Sequence, residues 1–122
     1  MVATSGDTGA AVASGFHKVE GINVFILYPK NKISNIQEKQ ISTFSDNIFP
    51  IEVDGTFDDC QEIVKDALTD KDLTSNFNFT TANSINISRW MPQTLYYFFA
   101  YTQLPSDIEK SSFSIPSGTY GN

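Results

Sequence analysis

Apolar residues recur along this chain either in short continuous runs or three to four positions apart, and the alternation of the two rhythms predicts strands and helices in turn. Val2-Ala3-Thr4 reads as the tail of a strand that breaks at once into the polar loop Ser5-Gly6-Asp7-Thr8-Gly9. Ala10, Ala11, Val12, Ala13, Ser14 and Gly15 predict a helix over residues 8–18 whose small side chains let it lie close on a sheet, stopping near Gly21. Residues 22–28, β-branched and aromatic and closed by Pro29, predict a strand buried on both faces. Ser34-Asn35-Ile36-Gln37 has capping-box spacing, and Ile36, Gln40 or Ile41, and Phe44 follow at helical intervals. A third strand covers residues 48–53, with Pro50 pushing it to the sheet edge, and Asp54-Gly55 turns the chain.

Thr56-Phe57-Asp58-Asp59 caps the next helix, whose apolar stripe is Phe57, Cys60, Ile63, Val64, Ala67 and Leu68. Residues 70–79 are polar and Asn-rich, a connection with one helical turn. Residues 81–91 are helical, with Ile85, Ile87 and Trp90 as contacts. Pro92 breaks or kinks the helix, and residues 94–101 continue it as an aromatic-rich, largely buried segment. Ser112-Phe113-Ser114-Ile115-Pro116 is the expected fourth strand.

Strands alternating with helices imply an α/β fold of three layers, a small four-stranded parallel sheet with helices on both faces and right-handed crossovers. If the first three strands step outward and the long helical excursion returns the chain past the first, the order is 3-2-1-4. Ligands in such sheets bind beyond the carboxyl ends of the strands where the direction reverses, here between strands one and four. Those strands lead into two glycine loops, residues 5–9 and 117–122.

Length and composition narrow the picture. With 122 residues, 40% of them hydrophobic, the chain suffices for one domain over 1–122 and is short for two. A net charge of −6 argues against a nucleic-acid or anionic-membrane partner, which would need clustered Lys and Arg. One cysteine, Cys60, and one histidine, His17, leave no basis for a disulfide framework, a zinc cluster or a Ser-His-Asp triad. Cys60 reads as a small core hydrophobe and His17 as a structural helix-end residue. No apolar run approaches the roughly 18 residues of a spanning helix, and the expected location is the cytoplasm. Both ends look cut, which predicts a piece of a larger protein.

A helix that opens on small residues presents unpaired N–H groups at its positive end, so Ser5, Gly6, Asp7 and Thr8 form a cradle suited to a carboxylate or phosphate. Gly118, Thr119, Tyr120, Gly121 and Asn122 form a second such loop, expected to face the same ligand. Asp7-Thr8-Gly9-Ala10 is also the signature of aspartic proteases. Those enzymes are all-β and place apolar residues before the Asp, whereas Ser5-Gly6 precede it here and an alanine-rich helix follows.

Three stretches, in order, resemble the threonine synthase family: residues 2–16, residues 83–89 with Pro92-Gln93, and residues 116–122. The resemblance implies a pyridoxal 5'-phosphate lyase of the tryptophan-synthase-β fold family, converting O-phosphohomoserine and water to threonine and phosphate. It implies that Ser5, Gly6, Asp7 and Thr8 hold the substrate carboxylate. Asn83, Ser84, Asn86 and Arg89 would face the substrate, Arg89 near its phosphate; read without the resemblance, they are a helix cap and a surface Arg. Gly118, Thr119, Tyr120, Gly121 and Asn122 would cradle the cofactor phosphate through backbone N–H groups. The alternative is another enzyme of the same fold, of threonine dehydratase or cysteine synthase type. Two departures stand out. Thr119-Tyr120 replaces the family's usual Asn-Phe, and the family's Schiff-base lysine lies upstream of the first loop. None of Lys18, Lys30, Lys32, Lys39, Lys65, Lys71 or Lys110 sits in a matching motif. No catalytic residue is therefore expected within this chain, whose partners would be the substrate and the remainder of the enzyme, and which should be inactive alone.

Overall fold

A computed structural model describes residues 1–108 and 110–116. The chain divides into two compact units, Met1–Ala82 and the residues from Asn83 onward.

The first unit is an α/β layer structure. Its strands are β1 (Val2–Ala3), β2 (Val24–Pro29) and β3 (Ile48–Val53); its helices are α1 (Asp7–Phe16), α2 (Asn35–Ser42), α3 (Phe57–Thr69) and α4 (Lys71–Asn76). The sheet is parallel in the order β1-β2-β3, with Val2 opposite Ile26 and Val24 opposite Ile48. That is the 3-2-1 half of the expected order. Residues 112–116 form no strand, so the sheet has three strands among the described residues.

Alternation along the central strand sends side chains to two cores. Val24, Ile26 and Tyr28 join Val2 and Ile48 beneath Ala13 of α1 and Ile41 of α2. Leu27 and Ala3 lie on the other face, against Cys60 and Val64 of α3. Helices thus cover both faces, and fully burying each of these larger aliphatic side chains contributes about 1.5–3 kcal/mol. Burial also pushes the Cys60 thiol above its ordinary range, in keeping with a core role.

Both anticipated capping boxes form. Ser34 Oγ accepts from Gln37 N at 3.2 Å, and Thr56 Oγ1 accepts from Asp59 N at 3.2 Å. The Thr56 N–H and hydroxyl both donate to Asp59 Oδ2 and hold that carboxyl below its ordinary value. Some expectations need correction. Helix α1 ends at Phe16, short of Lys18, because Lys18 enters the left-handed region at φ 61° and Asn47 takes up the nearby backbone groups. Ile36 and Ile63, assigned to apolar stripes, are exposed, since the cores are already filled by Ile41, Cys60 and Val64.

The second unit is dominated by α5 (Ile87–Thr102), which starts later than expected and runs through Pro92. Asn86 is its N-cap, the side-chain oxygen accepting from Ser88 N at 3.0 Å. The expected burial of its aromatic half is not found: no residue of α5 is buried, and Tyr96, Phe98 and Phe99 are largely exposed. Composition reports the apolar character, but burial also needs a covering element. Among the described residues Phe113 supplies a small part of one, edge-on to Tyr97 at 5.3 Å.

Candidate functional site

The chemistry of the first loop begins one residue before it. Thr4 continues the β1 pairing through its N–H to the Leu27 carbonyl (2.9 Å), and its side chain is buried. From there Thr4 Oγ1 accepts from Gly6 N (3.2 Å) and Gly9 N (3.0 Å) and donates to the Gly6 carbonyl (2.9 Å). One buried hydroxyl therefore folds the loop and caps the third residue of α1. The N-cap residue itself, Gly6, offers no side chain for that task.

The close approach explains Gly9. A Cβ there would lie 2.5 Å from Thr4 Cγ2 and 3.0 Å from Ile41 Cδ1. With Thr4 satisfying Gly9, no hydrogen bond to the N–H of Asp7 or Thr8 occurs among the described residues. Ser5 and Asp7 are exposed and Gly6 and Thr8 half-buried, so these four residues present hydroxyls and N–H donors at the positive end of a ten-residue helix. That arrangement can take a carboxylate.

Gln37, from the first turn of α2, also reaches this loop. Its Oε1 accepts from Ser34 N (3.2 Å) and Ser34 Oγ (3.1 Å), while its Nε2 donates to Asp7 Oδ1 at 3.1 Å. Neither Thr4 nor the Nε2 end of Gln37 stands out in the sequence as belonging to this site. Spacing alone shows Gln37 only as a capping-box residue.

The other expected substrate-facing residues sit together in the second unit. Asn86 N donates to the Asn83 carbonyl and Arg89 N to the Asn86 carbonyl, both at 3.0 Å, so Asn83, Ser84 and Asn86 form the turn that opens α5. Asn83 is buried. Arg89 occupies the third helical position, where a cation opposes the helix dipole. Ser5, Gly6, Asp7 and Thr8 thus lie together in the first unit, and Asn83, Ser84, Asn86 and Arg89 lie together in the second. Gly118, Thr119, Tyr120, Gly121 and Asn122 lie outside the described residues.

Two of the described lysines are engaged with carboxylates. Lys30 pairs with Glu52 at 3.3 Å, and Lys18 lies past the carboxyl end of α1, 3.9 Å from Asp46. The protease alternative also fails on geometry, because Asp7 opens a helix packed on a parallel sheet.

No family model matches the chain. Known proteins do. It is 50% identical to a threonine synthase of Haemophilus influenzae over 123 aligned positions, which take in 100% of this chain. The chain is similar to threonine synthases over its whole length. It spans 29% of that threonine synthase. Among solved structures, the threonine synthase of Escherichia coli superposes with a TM-score of 0.79 at 50% identity, over 87% of this chain and 25% of that one. A PLP-bound threonine synthase of Brucella melitensis gives 0.78 at 38% identity, over 98% of this chain and 26% of its own. No helix among the described residues is long and apolar enough to cross a membrane.

Proposed function

We propose that this chain is part of a cytoplasmic threonine synthase, a lyase that uses pyridoxal 5'-phosphate to convert O-phosphohomoserine and water to threonine and phosphate. The observation that carries the reading is the match to threonine synthases along the entire chain. In the whole enzyme Ser5, Gly6, Asp7 and Thr8 receive the substrate carboxylate through N–H and hydroxyl donors. Asn83, Ser84, Asn86 and Arg89 receive the phosphate end. Arg89 sits in the first turn of α5, where the guanidinium and the positive end of the helix would both attract a doubly charged phosphate, and this supports its role.

The backbone of Gly118, Thr119, Tyr120, Gly121 and Asn122 holds the cofactor phosphate. Bound there, the cofactor supplies an electron sink for the substrate carbons. The lysine that binds it belongs to the enzyme outside these residues, so the present chain positions groups and stabilises charge without performing the proton transfers. We read the 122 residues as one α/β portion of that larger protein.

The test uses the full-length enzyme. The wild type should release phosphate from O-phosphohomoserine. Arg89→Ala should lower kcat/KM by about 30-fold or more, the equivalent of about 2 kcal/mol for a lost charge-assisted contact. Inhibition by L-homoserine, which lacks the phosphate, should be unchanged. Equal losses for both molecules would assign Arg89 to structure, and absence of phosphate release by the wild type would overturn the function.

A further inference from the structure

Gln37 divides its amide between two jobs that separate cleanly by atom. Its Oε1 completes the capping box at Ser34, and its Nε2 holds Asp7 Oδ1 at 3.1 Å across 30 residues of sequence. Asp7 is the first helical residue of α1, and a carboxylate in that first turn is drawn toward the free N–H groups by the positive end of its own helix. Left unrestrained, the Asp7 side chain would compete with any external carboxylate for the N–H donors at the start of α1 that Thr4 leaves open. In the structure it does not do so. α1 has no side-chain cap from Gly6, its third N–H goes to Thr4, and the Asp7 oxygen is occupied by Gln37 instead.

We propose that Gln37 is a positioning residue that turns the Asp7 carboxylate aside, so that the α1 N–H groups stay open for the substrate carboxylate. The inference rests on the threonine synthase reading and adds to it a residue from α2. The bond also offsets part of the Asp7 charge at the place where a second negative group must arrive.

Gln37→Glu in the full-length enzyme is the informative variant. Glu serves a capping box as well as Gln does, so α2 keeps its cap, but the donor toward Asp7 is lost and replaced by a like charge. The KM for O-phosphohomoserine should rise about tenfold or more, as for loss of a hydrogen bond to a charged group, with kcat less affected and the melting temperature unchanged. Asp7→Asn supplies an amide that can donate to the carboxylate introduced at position 37, restoring the bond with donor and acceptor exchanged. In that background Gln37→Glu should cause no further rise in KM. Ser34→Ala, which removes the cap hydroxyl and spares Gln37 Nε2, should lower the melting temperature with KM unchanged.

A KM within about twofold of wild type for Gln37→Glu would overturn the proposal, being smaller than the loss of one such bond. So would an equal rise in the Asp7→Asn background, which would assign the effect to the new charge alone, or a rise with Ser34→Ala matching that of Gln37→Glu, which would reduce Gln37 to a helix cap. These outcomes leave the assigned function intact. Absence of wild-type turnover would remove the function and this inference together.

Discussion

Thr4 and Gly9 form a tighter fit than either residue type suggests. The Thr4 methyl occupies the space a Gly9 side chain would need, with Ile41 closing the remaining side. Gly9→Ala would gain up to about 1 kcal/mol of helix propensity, but it must displace a β-branched side chain tied to the loop by three hydrogen bonds. Overpacking of this kind costs typically about 1–3 kcal/mol, so the net expectation is destabilisation, read as a lower urea midpoint with an unchanged slope. An Ala variant as stable as wild type would mean that Thr4 can give way. At this scale the sequence is half informative. Gly9 is recognisable as a loop residue, yet its reason is a neighbour just after β1 and another in α2, and one-dimensional spacing cannot report that.

Elements with local instructions are legible in the sequence, and elements defined by distant partners are not. Helices α2 and α3 start where Ser34 and Thr56 cap them, and β2 is buried on both faces as its unbroken apolar run requires. The end of α1 is different. Asn47 Nδ2 donates to the Phe16 carbonyl (2.9 Å) and the Ile22 carbonyl (2.7 Å), and its Oδ1 accepts from Lys18 N (2.8 Å). A side chain just before β3 thus closes α1 and sets the path into β2, and nothing near Lys18 announces it. Asn47→Ala should cost about 1–3 kcal/mol, given roughly 0.5–1.5 kcal/mol net per hydrogen bond and partial replacement by water. Thermal unfolding measures it, and a shift no larger than that of a neutral surface substitution would show that water replaces all three bonds. The aromatic half of α5 escapes sequence reading for a related reason: sequence reports that a helix is apolar all round, whereas burial depends on what lies against it.

For the molecule as a whole, that exposed helix and the limited coverage point the same way. The chain spans 29% of the Haemophilus influenzae relative, and Met91, Leu95, Tyr96, Phe98 and Phe99 are each more than 60% exposed. Such a surface is far more apolar than a monomeric protein ordinarily shows to water. The isolated 122-residue polypeptide should therefore bind a hydrophobic fluorescent dye strongly and release no phosphate from O-phosphohomoserine, while the full-length enzyme should bind less dye per molecule and turn over. Turnover by the short polypeptide would mean that one of its own lysines does the chemistry. The Thr4 anchor has a further consequence. Because a buried residue just after β1 keeps the loop in shape, the Ser5 and Thr8 hydroxyls and the Asp7 and Thr8 N–H groups take no part in the loop's internal bonds among the described residues. Scaffold and vocabulary are separated: the frame is written at positions 4, 9 and 41, and the words spoken to a ligand at positions 5 to 8 can be rewritten without rebuilding it.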